Sequence, residues 1–379
     1  MTSAGRHLVA VLTSPERGGA EYATVDMLAL LVDRGWRVEL LTDQPELVEG
    51  TDVPARRIEL GPKLSRRSVA AVAGAAPSTL LRLTRALRRE AAQAPIDVLL
   101  VCFKKEQLLS ALLPPGIARA IVWAEWGPLP TQLGRGLPRP LYVAAARRAR
   151  RVLAESEGTR RSLLEAGVPA DKIAVVPNVL DGDKLRFDLA ARQRLREQWG
   201  ACADTYVIGC VTRLGKGKRT DVVIDALAHL DGDVLLVIAG DGDGEDELRQ
   251  RAAPFGERVL FVPTPRGWVH ELLSACDVQV FAPSAREGDS RAAAFGHLAE
   301  RPVIATASQG ALATVAPGTG AIVSPEHDAR ALAACLQAYA GDAARRAREG
   351  SAGRRRALDH HGAAHVGATL EDALLDVLR

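Results

Sequence analysis

The chain has 379 residues, 47% of them hydrophobic and 25% charged, with a formal net charge of +3. That length exceeds one ordinary core and suits two domains, while the composition excludes a disordered or fibrous protein. No nucleic-acid partner is expected.

The sequence contains no apolar run long enough to cross a bilayer, and MTSAGRHLVAVLTS carries too little apolar length before Glu16 for a secretory signal. A cytoplasmic protein is expected. Cys102, Cys202, Cys210, Cys276 and Cys335 are scattered, without metal-ligand spacing, and read as buried reduced thiols. No metal and no cofactor are expected. Charge is uneven along the chain: residues 1–177 hold twenty-five Lys/Arg against eighteen Asp/Glu, and the remainder is slightly acidic. The arginine clusters at Arg82, Arg85, Arg88 and Arg89 and at Arg147, Arg148, Arg150 and Arg151 fit a solvated face. The sharper alternative is contact with an anionic acceptor or a peripheral membrane contact.

Short apolar runs alternate with helix-like segments, the pattern of parallel strands joined by crossover helices, so the fold class is α/β. Strands are expected near 6–13, and then, after Gly18 and Gly19 open a helix, near 37–42. Backbone amides at that glycine pair suit an anion, although tight strand-to-helix turns also need glycine for structural reasons alone. Further strands fall near 96–103, 120–124 and 151–155, completing one doubly wound sheet. VVPNVLDGDKL reads as a linker.

A second series begins near 206–213 with VTRLGKGKRTDVVIDAL, in which Arg213 and Lys218 flank the start of a helix. Two cations there neutralise a diphosphate leaving group without a metal. The strand near 234–239 runs into Gly240 and Gly242, a turn that allows close approach of a ligand or is simply a turn. After the strand near 258–262, the backbone from Val262 and Pro263 to Pro265 is placed to meet a nucleobase edge. After the strand near 278–282, Glu287 and Gly288 precede Asp289, Ser290 and Arg291 at a helix start. There a carboxylate accepts bonds from sugar hydroxyls, and Asp289 or Ser290 also suits a helix cap. A last strand is expected near 302–306. The segment from Ala357 to Arg379 reads as a helix.

This ordered series resembles the retaining nucleotide-sugar glycosyltransferases of the GT-B fold, specifically family 4, over nearly the whole chain. The resemblance implies two Rossmann-like doubly wound domains facing across a cleft. Residues 1–177 would form the acceptor side, residues 178–356 would bind the nucleotide sugar, and the helix 357–379 would pack back on the first domain. It implies metal-independent transfer from a nucleotide-sugar donor, by default a UDP-sugar, to a sugar, an aglycone or an envelope-glycan acceptor. Arg213 and Lys218 match the family's diphosphate-binding pair, Glu287 the first glutamate of its Glu-x7-Glu motif, and Gly18 and Gly19 its donor loop. Two positions depart from the pattern. Phe295 stands where the second glutamate holds the ribose, and AIVWAEWGPLP offers Glu125 and Trp126 where the family carries a histidine near the sugar. Glu125 then suits sugar contact or acid–base support, and Trp126 suits stacking on a sugar face; either also suits a structural place. The departures point to an unusual donor or acceptor, or to a catalytically silent paralogue that binds a nucleotide sugar or scaffolds a partner.

Overall fold

The structure, a computed structural model, describes residues 5–14, 18–62, 64, 68–130, 138–263, 267–284, 291–324 and 328–379. The chain divides into two compact units. Unit 1 comprises residues 1–179 together with 363–379, and unit 2 comprises residues 180–362.

Unit 1 runs β1 (His7–Leu12), α1 (Gly19–Asp33), β2 (Arg37–Thr42), β3 (Ala55–Arg57), α2 (Val69–Gln93), β4 (Val98–Val101), α3 (Lys104–Ser110), β5 (Ala120–Glu125), α4 (Arg139–Ala146), β6 (Arg151–Ala154), α5 (Glu157–Ala166) and β7 (Ile173–Val175). The described strands form one sheet in the order β3-β2-β1-β4-β5-β6-β7. All six residues of β1 are buried because helices cover both faces. Leu8, Ala10 and Leu12 point into one core, with Leu28 and Leu31 of α1. Val9 and Val11 point into the other, with Leu83 and Leu87 of α2, Leu109 of α3 and Tyr142 of α4. That alternation is the period of two of a strand.

Unit 2 continues with α6 (Leu189–Gln198), β8 (Tyr206–Val211), α7 (Thr220–Ala226), β9 (Val234–Ala239), α8 (Glu245–Ala252), β10 (Val259–Val262), α9 (Val269–Ala275), β11 (Val278–Phe281), α10 (Arg291–Leu298), β12 (Val303–Thr306), α11 (Gln309–Thr314), β13 (Gly320–Val323), α12 (Ala329–Ala340) and α13 (Ala343–His361). Its sheet order is β10-β9-β8-β11-β12-β13, and every strand pair in both sheets is parallel. β8 is as fully buried as β1. Strand order reverses beside β1, toward β4, and beside β8, toward β11. Each reversal opens a crevice at the carboxyl ends of its strands. β3, β7 and β13 lie at sheet edges and are absent from the sequence reading; β3 (ARR) has no apolar run, and those of β7 (IAV) and β13 (GAIV) are only three or four residues long and mostly partly buried.

The last segment divides at Gly362. Ala357 lies inside α13, buried with Leu180 and Leu298 in unit 2. The final helix, α14 (Ala363–Asp376), belongs to unit 1, where Val366, Leu370 and Leu374 join the core beneath α1. Arg34 donates twice to Glu371 Oε2, at 2.9 and 2.6 Å, and Trp36 Nε1 donates to Oε1 at 3.3 Å. Among the cysteines, all free, Cys202 is exposed rather than buried, because it sits on the polar turn between α6 and β8, and Cys335 of α12 is only half-buried. No described helix is long and apolar enough to cross a membrane.

His297 of α10 is buried against α13, where a Cβ on Gly353 would come within 2.3 Å of its Nδ1. Burial pushes the His297 imidazole down to about 4. Between its ordinary value and that one, the unfolded chain binds a proton that the folded chain does not. Stability is therefore unaffected above about pH 6.5 and falls as the pH drops toward 4, by up to about 3 kcal/mol. Replacing His297 with Gln should flatten that slope, as read from urea unfolding at pH 7 and pH 5.

Candidate active site

The loop after β1 is built on buried carboxylates. Glu21, in the first turn of α1, accepts from Ser14 Oγ at 2.7 Å with one oxygen and from the Gly18 amide at 3.0 Å with the other. One side chain thus ties the entry and the exit of the loop together. Ser14 is also held through its amide by Asp43, at 3.0 Å, and through its carbonyl by Gln44. Thr13 donates to Glu106 of α3, which is fully buried and lies 3.2 Å from the Lys105 ammonium. Burial raises the Glu106 carboxyl above the ordinary carboxylate range. Gly18 is extended, with φ −116°, and its amide is already used by Glu21, so among the glycine pair the first donor serves the fold. Neither Glu21 nor Glu106 was singled out in the sequence; the only available signal for Glu21 was its place three residues after Gly18, the spacing of a capping box.

Glu125 ends β5 and is buried with both oxygens engaged. Tyr142 of α4 donates to Oε1 at 2.7 Å, and Lys104 of α3 pairs with Oε2. The Lys104 ammonium also lies 5.4 Å from the Tyr142 ring centroid. Burial and the neighbouring carboxylate raise the Tyr142 phenol well above its ordinary value. The residue read as a sugar contact or acid–base group therefore binds α3 and α4 together and orients Lys104, which remains partly accessible. Trp126 is half-buried against the core that contains β1 and α14.

In unit 2, Arg213 is exposed just past β8, and Lys218 is half-buried at the far end of the same loop. The Lys218 ammonium lies 5.8 Å from the ring centroid of Phe281, at the end of β11. The Ser284 amide donates to Gly217 O at 2.9 Å, joining the loops after β8 and β11 at the reversal of strand order. Gly240 and Gly242 brace this arrangement from behind. Their φ values are +153° and +158°, and a Cβ at Gly240 would lie 1.8 Å from Thr212 O, one at Gly242 2.2 Å from Leu214 O. The close approach that these glycines permit is thus to the backbone on either side of Arg213. Leu214 N to Asp241 O, 2.8 Å, and Gly244 N to Leu214 O, 2.9 Å, complete the contact.

Glu287, Gly288, Asp289 and Ser290 lie outside the described residues. Arg291, the first residue of α10, places its guanidinium 5.5 Å from the Phe295 ring centroid. Phe295 and Leu185 each pack, partly buried, against the cluster of Leu180 and Leu298. Val262 ends β10, the edge strand, and Pro263 after it is exposed. Among the described residues, no group of three or more His, Cys, Asp and Glu is placed to hold a metal ion.

Two parallel-sheet units, each with helices on both faces and its loops gathered at a reversal of strand order, define a GT-B-like α/β architecture. A family model described as Glycosyltransferase Family 4 matches residues 17–184, and one described as Glycosyl transferases group 1 matches residues 191–356. The chain is a GT-B-fold glycosyltransferase relative, akin to both families. A D-inositol 3-phosphate glycosyltransferase of Xylanimonas cellulosilytica is 31% identical over 234 residues, 59% of this chain and 55% of that protein. A GDP-mannose-dependent monoacylated alpha-(1-6)-phosphatidylinositol monomannoside mannosyltransferase of Corynebacterium glutamicum is 32% identical over 169 residues, 42% of this chain and 44% of that one. The chain thus spans about half the length of the curated relatives it matches. The crystal structure of Anabaena HepE in complex with UDP-glucose superposes with a TM-score of 0.81 at 22% identity, covering 98% of this chain and 99% of that one.

Gly240→Ala should cost about 3 kcal/mol or more, because the methyl meets a backbone carbonyl and the backbone sits in a region that L-residues avoid. Urea unfolding measures this, and a cost below about 1 kcal/mol would show that the loop after β9 does not brace the one after β8.

Proposed function

We propose that the chain transfers a sugar from a nucleoside-diphosphate sugar, by default a UDP-sugar, to a small-molecule or glycan acceptor, with retention at the anomeric carbon. Unit 2 would hold the donor and unit 1 the acceptor. The observation that carries this reading is the pair Arg213 and Lys218 on one braced loop at the strand-order reversal of unit 2. As the bond from the anomeric carbon to the diphosphate oxygen breaks, its electron pair leaves with the phosphate. The two cations neutralise that growing charge, and their preset positions avoid reorganisation during the step. Glu287 would accept hydrogen bonds from sugar hydroxyls. Gly288, Asp289, Ser290 and Arg291 would line the donor alongside it, with Val262 and Pro263 toward the base. The family matches on both halves of the chain support the donor class, and the relatives named for UDP and for GDP-mannose leave two bases to test.

Thermal shift with UDP, GDP, ADP and dTDP, and with their sugar conjugates, tests the assignment. One diphosphate at a hundredfold excess over its dissociation constant should stabilise the chain by about 2.7 kcal/mol. Changing Arg213 and Lys218 to Ala should weaken that ligand at least about tenfold, the loss of one or two charge-assisted bonds. Unchanged affinity in the double variant would sink the role given to the pair.

A second reading, a chain that binds the donor without turnover, rests on Phe295, which packs half-buried against an apolar cluster at the position where the family pattern has a ribose-binding glutamate. Product formation by the isolated chain would exclude it.

A further inference from the structure

Unit 1 reverses its strand order between β1 and β4, so a ligand at the carboxyl ends of its sheet meets the residues that follow these strands and their neighbours β2 and β5. Groups able to hold an anion stand at those places, and the described ones are already in use. The Gly18 amide donates to Glu21 and the Ser14 amide to Asp43, each at 3.0 Å. Lys105 is buried and donates to three carbonyls of the segment after β3, those of Leu60 at 3.2 Å, Gly61 at 2.8 Å and Pro62 at 3.1 Å. Arg57, at the end of the edge strand β3, pairs with Glu46 at 3.3 Å. Around the reversal, Lys104 and Lys105 face Glu21, Asp43, Glu106 and Glu125, so the described residues there carry no surplus of positive charge.

Lys104, the first residue of α3, is placed differently. Its side chain is 21% exposed, against 3% for the Glu125 that pairs with it. Its ammonium donates to Glu125 Oε2 and, at 3.3 Å, to Gln107 Oε1, which leaves a third N–H beyond these partners. Both partners are fixed in turn. Gln107 Nε2 donates to Ala124 O at 3.1 Å, and Glu125 Oε1 accepts from Tyr142 at 2.7 Å. With its charge balanced by a buried carboxylate, Lys104 is a directed N–H donor more than a loose cation. A hydroxyl oxygen needs only that N–H. A phosphate would set two negative charges beside Glu125 and Asp43 without a cation left over to neutralise them.

We propose that unit 1 takes a polyhydroxylated acceptor free of phosphate and carboxylate groups, and that Lys104 donates to one of its hydroxyl oxygens. The inference rests on the sugar-transfer reading for the assignment of the acceptor to unit 1. Glu125 acts through Lys104: it aims the ammonium and cancels its charge, so it sets the preference against anions without touching the acceptor.

The test is saturation-transfer NMR on the full chain, saturated with the nucleoside diphosphate that the thermal-shift screen selects, because it reads acceptor binding without turnover. The probes are glucose, N-acetylglucosamine and inositol, each beside its phosphate: glucose 6-phosphate, N-acetylglucosamine 6-phosphate and inositol 3-phosphate, the compound that two relatives are named for. At least one hydroxylated probe should bind, and its phosphate should bind at least about tenfold more weakly. Lys104→Met should weaken the hydroxylated probe about tenfold and leave the diphosphate affinity unchanged. Because that change strands Glu125, the variant carrying Lys104→Met and Glu125→Gln together is measured beside it; Tyr142 keeps an oxygen to donate to, and the same loss is expected. Glu125→Gln alone keeps the N–H and removes the balancing charge, so discrimination against the phosphate should shrink severalfold, which a merely structural Glu125 would not produce. A phosphate bound as tightly as its parent, binding of none of the hydroxylated probes, or undiminished binding by the paired variant would each overturn the proposal. A native chain shifted by no nucleoside diphosphate would overturn the donor reading instead, and the same probes measured without diphosphate then decide the acceptor class.

Discussion

Each unit depends on one strand that is buried on both faces. β1 and β8 have no polar side to give to water, so helices must cover both sides, and only parallel strands joined by crossovers supply them. Once that strand lies in the middle, the chain must leave it in both directions, and the reversal of strand order beside it is unavoidable. The loops that carry Thr13, Ser14 and Gly18 in unit 1, and Arg213 to Lys218 in unit 2, are gathered there as a consequence. The site is an outcome of covering an apolar strand.

Holding those loops is done by different means in the two units. In unit 1 the agents are buried carboxylates: Glu21 across Ser14 and Gly18, Glu106 on Thr13, and Glu125 between Lys104 and Tyr142. A buried carboxylate left without these partners would carry a large desolvation cost, part of which Glu106 retains, because its Oε2 is buried without a hydrogen-bond partner among the described residues. In unit 2 the agent is close backbone contact, with Gly240 and Gly242 lying against the segment around Arg213. Backbone against backbone leaves no side chain to rearrange. The arginine and lysine proposed to meet the diphosphate therefore start from a rigid base while their own side chains stay accessible.

Much of this was legible in the chain. The apolar runs of β1, β8 and β9 are long enough and purely apolar enough to declare buried parallel strands, and Arg213, Lys218, Gly240 and Gly242 stand at strand ends that the runs define. The edge strands β3, β7 and β13 were not legible, because three or four half-exposed residues carry no periodicity. Glu125 illustrates the limit at the site. Its position at the end of β5 was readable, but its partners Lys104 and Tyr142 are 21 and 17 residues away, and no local pattern reports them. The same holds for Glu371, which meets Arg34 and Trp36 across more than 330 residues.

The sequence by itself determined the α/β class, the two series of strands and the places where strands give way to loops, because burial pattern and turn chemistry act over a few neighbouring residues. Tertiary structure alone decided which carboxylates are consumed as braces, that Gly240 and Gly242 are pressed against the β8 loop, and that the chain passes into its final helix at Gly362. These are properties of residues brought together from distant parts of the chain, and packing is the only agent that places them.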